Sequence, residues 1–267
     1  MGPCISSHVF KPPRLRWPYD TKDMRGRTFV KLRTKHGSEI MTCHIVPEGT
    51  RYNRTVIYAH GNASDITASI QFAQDFMCAH LRANFLVFSY SGYPLCTGSP
   101  SEQHVLNDAD AVYEYARDRL GLRNRSIILM GHSLGAAPAI HVANKYELDE
   151  SGDANPFMAV ALVSAFTSIY RVRFKFRHTY IGDMFPNIDR ITQVASPTLV
   201  VVGDDDQVVP QWHSDDLYNA ARARYKRLVV IPGGGHNSVM TGDADVLRAI
   251  NDFVESNMRA SEAHRLI

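Results

Sequence analysis

A Gly-x-Ser-x-Gly pattern, formed by Gly131, Ser133 and Gly135, directly follows the apolar run Ile127–Met130. A helix-forming stretch comes after it. Glycines two positions before and two positions after the serine let the chain fold back without side-chain collision. The Ser133 hydroxyl would then project from a strand end, with the N-terminus of the next helix directed at the same point. The spacing predicts a nucleophilic serine; the alternative is a plain strand-to-helix turn.

A serine hydroxyl needs an adjacent base to remove its proton, and the expected base is a histidine oriented by a carboxylate. In an arrangement that starts with such a serine turn, the acid and then the histidine follow along the chain. His236 follows the apolar run Leu228–Ile231 through a loop that contains three glycines, which could bring an imidazole over the strand ends. His236 is the predicted base; the alternative is a surface-loop histidine.

Three adjacent aspartates are candidates for the acid that orients the histidine. Asp204, Asp205 and Asp206 all follow the apolar run Leu199–Val202, and a helix is predicted to begin near Pro210. Asp206 is favoured because it lies in the loop that crosses the top of the sheet, with Asp204 as the main alternative. The remaining aspartates would form turns or cap the helix.

The negative charge that develops on the substrate oxygen needs N–H donors fixed in advance. One predicted donor is the backbone N–H of Leu134, immediately after the nucleophile. The second should come from a loop after an earlier strand. The loop after Val56–Tyr58 is well placed, and the backbone of Asn62 is favoured over that of Ala63.

Short apolar runs that alternate with helical patterns provide the elements that would position these residues. Runs that are apolar on both faces are typical of parallel strands covered by helices on each side. A hairpin precedes them, with strands predicted at Thr28–Arg33 and Glu39–Val46. We therefore expect an α/β fold with an open, mostly parallel central sheet and helices on both faces, whose ligands collect at the carboxyl ends of the strands. The six predicted runs are Val56–Tyr58, Phe85–Phe88, Ile127–Met130, Ala159–Val163, Leu199–Val202 and Leu228–Ile231.

Helical spacing of apolar residues predicts a helix between Ile66 and Leu81. In the stretch 99–102, Ser99 is the predicted N-cap of another helix, Pro100 its first-turn proline and Glu102 the capping glutamate. That helix should end near residues 120–121. Further helices are expected at about 135–147, 210–223 and 243–257.

The composition narrows the classes of function. A chain of 267 residues with a net charge of +2 favours one large domain, residues 27–267, and gives no reason to expect nucleic-acid binding. Four scattered cysteines lack metal-ligand spacing, so we expect a reduced, intracellular chain without structural zinc. No apolar run approaches the roughly 20 residues of a membrane-spanning helix.

Residues 1–26 are predicted to form an N-terminal arm. Gly2 fits the simple pattern for myristoylation, and Cys4 is a candidate for palmitoylation, although Pro3 should hinder the first modification. A lipidated arm would place a cytoplasmic protein on the cytoplasmic face of membranes. The alternative is a disordered, proline-rich arm without a lipid.

The segment 166–190 is the natural place for a small cap. Within it, residues 171–177 alternate basic and apolar side chains. One face could line an acyl groove through Phe174 and Phe176, and the other could contact anionic lipid headgroups; replacing Arg173 and Lys175 with glutamate should then weaken liposome binding. The alternative is a half-buried edge with a solvated basic face.

Several motifs resemble the α/β-hydrolase-domain family 17 proteins and their relatives, serine hydrolases known as protein depalmitoylases. The resemblance runs from about Phe10 to Asn237, and it implies an α/β-hydrolase fold, hydrolysis of S-acylated cysteine and no metal or organic cofactor. It favours Asp206 as the acid. Tyr93, within one of the matching motifs, is a further candidate substrate-binding residue. Unlike the family, the chain has Cys4 instead of an N-terminal cysteine cluster. The matching motifs are residues 60–65, 90–93, 98–102, 131–135, 185–189, 203–208 and 235–237.

The leading hypothesis is a serine hydrolase that cleaves acyl thioesters or esters, with S-acylated proteins as substrates and a peripheral membrane contact. Ser133 would attack, His236 would carry the proton and Asp206 would orient His236. One alternative is a serine peptidase of the prolyl-oligopeptidase type, although the chain has no room for the large N-terminal domain of those enzymes. The other is a non-catalytic binding module on a hydrolase scaffold.

Overall fold

The central sheet is built from short strands whose side chains are apolar on both faces. The computed structural model describes residues 9–14, 26–48, 52–74, 78–148, 151–174, 178–237 and 244–263, without the side chains of residues 79 and 260–263. Within these ranges the sheet contains eight strands. They are β1 (Arg27–Arg33), β2 (Glu39–Ile45), β3 (Thr55–Ala59), β4 (Asn84–Phe88), β5 (Ile127–His132), β6 (Ala159–Val163), β7 (Thr198–Gly203) and β8 (Lys226–Ile231).

The strand order is β1-β2-β4-β3-β5-β6-β7-β8. β2 is antiparallel to both of its neighbours, β1 and β4, while every pairing from β4 to β8 is parallel. The carboxyl ends of β3, β5, β7 and β8 therefore lie along one edge of the sheet, where crevices for ligands form in open α/β sheets.

Helices cover both faces of the sheet and divide the core into two layers. The described helices are α1 (Ile66–Phe72), α2 (Cys78–Leu81), α3 (Glu102–Asp118), α4 (Ala136–Tyr146), α5 (Ile169–Phe174), α6 (Asn187–Arg190), α7 (Trp212–Ala220) and α8 (Ala244–Ala263). One layer packs α3, α4 and α7 against the sheet. The other packs α1, α2 and α8 against the opposite face, with Phe253 fully buried.

The predicted α/β architecture, with helices on both faces, is confirmed, and each predicted strand overlaps an observed one. The cap of α3 differs from its prediction. Ser101, not Ser99, is the N-cap, because its hydroxyl accepts a hydrogen bond from the His104 N–H at 3.1 Å. Glu102 is instead the first helical residue and forms an ion pair with Arg190 at 2.8 Å.

The cap segment that alternates basic and apolar residues is helical from Ile169 to Phe174. Residues two apart on a helix point in different directions. Arg171 is therefore buried, with its Nη2 3.3 Å from the Thr179 hydroxyl, whereas Arg173 lines a surface cavity. The expectation of one continuous basic face is wrong for this pair. Lys175 and Phe176 lie outside the described residues.

Part of the predicted N-terminal arm packs against the domain. Phe10 is 4% exposed and meets Phe185 edge to face, with ring centroids 6.1 Å apart. Gly2 and Cys4, the lipidation candidates, lie outside the described residues. Among the helices that the structure describes, none combines the length and the apolar composition needed to cross a bilayer.

The position of the α3 cap can be tested with two alanine variants. Ser101→Ala should lower the free energy of unfolding by about 1 kcal/mol, because the helix loses a side-chain acceptor for one of its free N–H groups. Ser99→Ala, at an exposed position two residues earlier, should change it by less than about 0.5 kcal/mol. Urea denaturation of both variants measures the difference, and equal effects would contradict the assignment of Ser101.

Candidate functional site

The turn between β5 and α4 places Ser133 in a strained backbone conformation. Its φ of +51° lies in the left-handed region, which a non-glycine residue occupies only when the surrounding structure enforces it. A Cβ atom at Gly131 would collide with the carbonyl of Gly135, and one at Gly135 would collide with the carbonyl of Ala59. The two glycines therefore allow the tight turn that holds the Ser133 hydroxyl above the strand ends.

Three side chains from three separate loops meet at this point. The Ser133 hydroxyl lies 3.0 Å from Nε2 of His236, and Nδ1 of His236 lies 2.7 Å from a carboxylate oxygen of Asp206. Because the carboxylate can only accept, Nδ1 donates to Asp206 and Nε2 is left to accept the serine proton. This chain of hydrogen bonds can deprotonate a serine and stabilise the resulting imidazolium.

The second carboxylate oxygen of Asp206 is held by the protein backbone. It accepts the N–H groups of Val208 at 2.9 Å and Val209 at 2.8 Å. Burial alone would raise the pKa of Asp206, but the hydrogen bonds from His236 and these two amides outweigh it and leave the pKa below its usual value. Asp206 is therefore charged where it orients His236.

Asp204, the alternative acid, has a different partner. Its carboxylate accepts the N–H of Gly233 at 2.6 Å, which ties the loop after β7 to the loop after β8. A Cβ atom at Gly203 would collide with the carbonyl of Gly234, so the two loops also pack directly on each other. Asp204 thus supports the loop that carries His236, and the hydrogen bond to the imidazole comes from Asp206.

His132 directly precedes the serine, but it cannot replace His236 as the base. Its Nε2 lies 3.0 Å from the backbone carbonyl of His236, so that nitrogen carries a proton and donates it. Burial, together with the nearby His236, lowers the pKa of His132 to about 4. A neutral His132 thus anchors the backbone of the residue whose side chain contacts Ser133.

The loop after β3 borders the same cavity as the serine. Gly61, Asn62 and Ala63 all line the cavity beside Ser133 and Leu134. The structure therefore brings Asn62 and Leu134, the two residues predicted to donate backbone N–H groups, to the same site. Ala63, the alternative donor, lies beside them.

His60 stabilises the backbone of this loop. It is fully buried, and burial lowers its pKa to about 4. Its Nδ1 donates to the carbonyl of Gly61 at 2.8 Å, and its own carbonyl accepts the hydroxyl of Tyr90 at 2.6 Å. These contacts hold the backbone of the loop while keeping the imidazole away from the cavity.

A cavity of about 1010 Å³ opens directly above Ser133. One wall is the loop after β3, and the other comes from the cap and from the residues after Asp206. Most of its lining is apolar, and Arg173 is a basic residue in that lining. The wall residues from the cap and from the loop after β7 are Phe166, Ile169, Tyr170, Val172, Arg173, Phe174, Val208 and Val209.

The three predicted substrate-binding residues have different outcomes. Phe174 lines the cavity and is 55% exposed. The prediction that Tyr93 contacts the substrate is wrong. Tyr93 is buried outside the cavity lining, and its hydroxyl donates to Oδ1 of Asn62 at 2.7 Å. Tyr93 therefore fixes a residue of the cavity wall without lining the cavity. Phe176 lies outside the described residues.

Sequence patterns missed several wall residues. Val208 and Val209 follow the acid directly, and an apolar pair after a loop aspartate is a signal that could have indicated a wall. Val9 also lines the cavity, but nothing in the local sequence distinguishes it. Within the described ranges, no group of His, Cys, Asp or Glu side chains is arranged to hold a metal ion.

Solved structures share this architecture. An esterase from Pyrococcus furiosus superposes with a TM-score of 0.72 at 15% sequence identity, covering 93% of this chain and 98% of that one. A hydrolase from Thermoplasma acidophilum, described as CIB-like, superposes with a TM-score of 0.60 at 18% identity, covering 86% of this chain and 98% of that one. At these identities the likeness shows the fold, which is that of α/β-hydrolases.

Sequence comparisons reach closer relatives. Residues 89–237 match the family described as serine hydrolase (FSH1). The alpha/beta hydrolase domain-containing protein 17C of Xenopus tropicalis is 33% identical over 248 residues, which cover 92% of this chain and 75% of that protein. The human 17B protein is 31% identical over 227 residues, which cover 85% and 75%. The chain therefore belongs to the serine hydrolase (FSH1) family and to the alpha/beta hydrolase domain-containing 17 group.

Proposed function

We propose that this hydrolase cleaves long-chain acyl thioesters, with S-palmitoylated proteins as its substrates, and that Ser133, His236 and Asp206 are its catalytic triad. The observation that carries the proposal is the unbroken chain of hydrogen bonds from Asp206 through His236 to Ser133, at 2.7 and 3.0 Å, at the base of an apolar cavity. The apolar lining of the cavity favours an acyl chain as the bound group. The family resemblance favours a chain that is attached to cysteine.

In the first half of the reaction, the Ser133 oxygen attacks the thioester carbonyl while its proton passes to Nε2 of His236. The carbonyl oxygen becomes negatively charged, and the backbone N–H groups of Leu134 and Asn62 stabilise it. When the carbon–sulfur bond breaks, the imidazolium returns the proton to the sulfur. The cysteine thiol leaves, and the acyl group remains on Ser133.

In the second half, a water molecule replaces the thiol. His236 removes a proton from the water as it attacks the acyl-serine carbonyl, and the same N–H groups hold the oxyanion. The bond to Ser133 breaks, the serine oxygen recovers its proton from His236, and a fatty acid is released. Asp206 stays ionised throughout, in keeping with its lowered pKa.

The dimensions of the cavity fit a long aliphatic chain. Ligand pockets in proteins span roughly 300–1,000 Å³, so a cavity of about 1010 Å³ is at the upper end of that range. A wall of valine, isoleucine and aromatic side chains offers few hydrogen-bond partners to a peptide backbone. This composition favours an acyl substrate over a peptide.

We further propose that the cap contacts a lipid surface. Ile181 is 100% exposed, and Tyr180 and Phe174 are about half exposed in the same cap. Arg173, which lines the cavity, adds positive charge that attracts anionic headgroups. Apolar side chains that insert beside a basic residue would bring the cavity to the membrane that contains the acyl chain of the substrate.

Replacement of the nucleophile provides the direct test of the proposed function. Ser133→Ala should abolish labelling by a fluorophosphonate probe and hydrolysis of a palmitoyl thioester, because the attacking oxygen is gone. Ser99→Ala, at an exposed position outside the cavity, serves as the matched control and should keep both activities. Labelling of the Ser133→Ala variant would reject Ser133. Cleavage of a peptide amide without thioester turnover would favour a peptidase, and wild-type protein without labelling or turnover would favour a binding module.

The apolar wall predicts a dependence on acyl chain length. Each buried methylene contributes about 0.8 kcal/mol, so kcat/KM for p-nitrophenyl esters should rise by up to about fourfold per methylene from acetate to octanoate. Val208→Asn should flatten this series by placing an amide in the wall. Val230→Asn, at an exposed valine outside the cavity lining, should leave the series unchanged. A flat series in the wild type would contradict binding of the chain in this cavity.

Vesicle binding tests the contact with a lipid surface. Ile181→Ser should lower partitioning onto vesicles containing phosphatidylserine by about tenfold, because burial of an isoleucine contributes at least about 1.5 kcal/mol. Leu148→Ser, at an exposed leucine outside the cap, is the matched control. Co-sedimentation measures both variants, and equal partitioning of Ile181→Ser and wild type would exclude insertion of this residue.

A further inference from the structure

The side chain of Asn62 joins the loop after β3 to the N-terminal segment. Its Nδ2 donates to the carbonyl of Val9 at 2.6 Å, and its Oδ1 accepts the N–H of Lys11 at 2.9 Å. The same Oδ1 accepts the hydroxyl of Tyr93 at 2.7 Å. A carboxamide has two donor and two acceptor positions, so Asn62 uses three of four, and two of these three bind residues more than fifty positions earlier in the chain.

The N-terminal segment is fastened to the domain between these two hydrogen bonds. Phe10 is 4% exposed and meets the fully buried Phe185 edge to face at 6.1 Å. Phe185 in turn meets Phe166, which lines the cavity, at 6.4 Å. The backbone on either side of Phe10 is thereby presented to Asn62 from a fixed position. We define Val9–Lys11 as the N-terminal clamp.

We infer that the N-terminal clamp holds the Asn62 loop in the position needed for catalysis, with the Asn62 side chain as a positioning residue. The inference rests on the proposed function, in which the backbone N–H of Asn62 binds the oxyanion. Its physical basis is that oxyanion donors are effective only when they are fixed before the reaction. The backbone of a short surface loop drifts unless other contacts hold it, and the clamp supplies two of those contacts.

The clamp gives the N-terminal segment a role in the reaction rate. Release of residues 9–11 would remove two of the three hydrogen bonds to the Asn62 carboxamide and expose Phe10. The loop after β3 would then keep its other contacts, among them the bonds from His60 and from the Ser64 N–H to the Gly61 carbonyl and the Tyr93 contact. A displaced oxyanion donor weakens binding of the transition state more than binding of the substrate, so kcat should fall while KM stays close to its wild-type value.

Two N-terminal truncations, each keeping all of the remaining residues, test the inference. Removal of residues 1–8 leaves the clamp in place and should keep kcat for p-nitrophenyl butyrate within about twofold. Removal of residues 1–11 deletes the clamp and should lower kcat by roughly tenfold or more, with KM little changed. Both are measured well below their melting temperatures. Equal kcat values for the two truncations would overturn the inference, even if the longer truncation melts earlier, because a purely structural brace predicts only that loss of stability.

A point variant keeps the test decisive if the longer truncation fails to fold. Asn62→Asp preserves the shape of the side chain but replaces the donor to the Val9 carbonyl with an oxygen, so it should repel the clamp and lower kcat with KM little changed. Hydrogen exchange of a peptide covering residues 59–65 should become faster in this variant and after removal of residues 1–11. Unchanged exchange in the Asn62→Asp variant would overturn the inference. This readout does not depend on turnover, so it remains informative if the Ser133→Ala comparison rejects the proposed function.

Discussion

The close approach of the β5–α4 turn to strand β3 is the constraint on which the site depends. Gly135 packs against the carbonyl of Ala59, and Gly131 packs against the carbonyl of Gly135, so neither position has room for a side chain. This packing forces Ser133 to a φ of +51° and lifts its hydroxyl out of the sheet. Backbone strain of this kind costs on the order of 1–3 kcal/mol, which the buried parallel strands on either side must offset.

Close packing of backbone on backbone also positions Asp206 and His236, the other two members of the proposed triad. The loops after β7 and β8 are joined by the contact of Gly203 with Gly234 and by the hydrogen bond from Gly233 to Asp204. Asp206 is then oriented by two amides of its own loop, and His236 is held at its carbonyl by His132. The side-chain geometry is thus imposed by loops that cannot move independently. Buried His132, whose pKa is lowered to about 4, holds His236 without adding a competing charge.

Much of this arrangement follows from local sequence. Parallel strands buried on both faces appear as short apolar runs, so all six predicted runs overlap observed strands. Ser133 and His236 could be predicted because glycine patterns mark turns at strand ends. The choice between Asp204 and Asp206 could not come from spacing alone, since both lie in the same loop. Position in the loop and the family resemblance favour Asp206, and the three-dimensional partners differ, since Asp204 accepts from Gly233 and Asp206 from His236.

The errors concern side-chain surroundings that the local residue pattern does not reveal. Tyr93 was expected at the substrate, but its hydroxyl binds Asn62 from behind the cavity wall. Residues 171–174 alternate basic and apolar side chains and were expected to present one basic face, yet the segment is helical and buries Arg171.

The N-terminal segment is the extreme case of such a long-range contact. Its prolines and charges indicate an arm, and no local pattern reveals that Phe10 has a site on the domain. A buried aromatic ring that fixes the backbone on both sides of it is enough to turn a terminal segment into part of the cavity wall. Val9 lines that wall, and Phe10 and Lys11 contact the domain, so these three residues pack with the domain although the sequence places them in the arm.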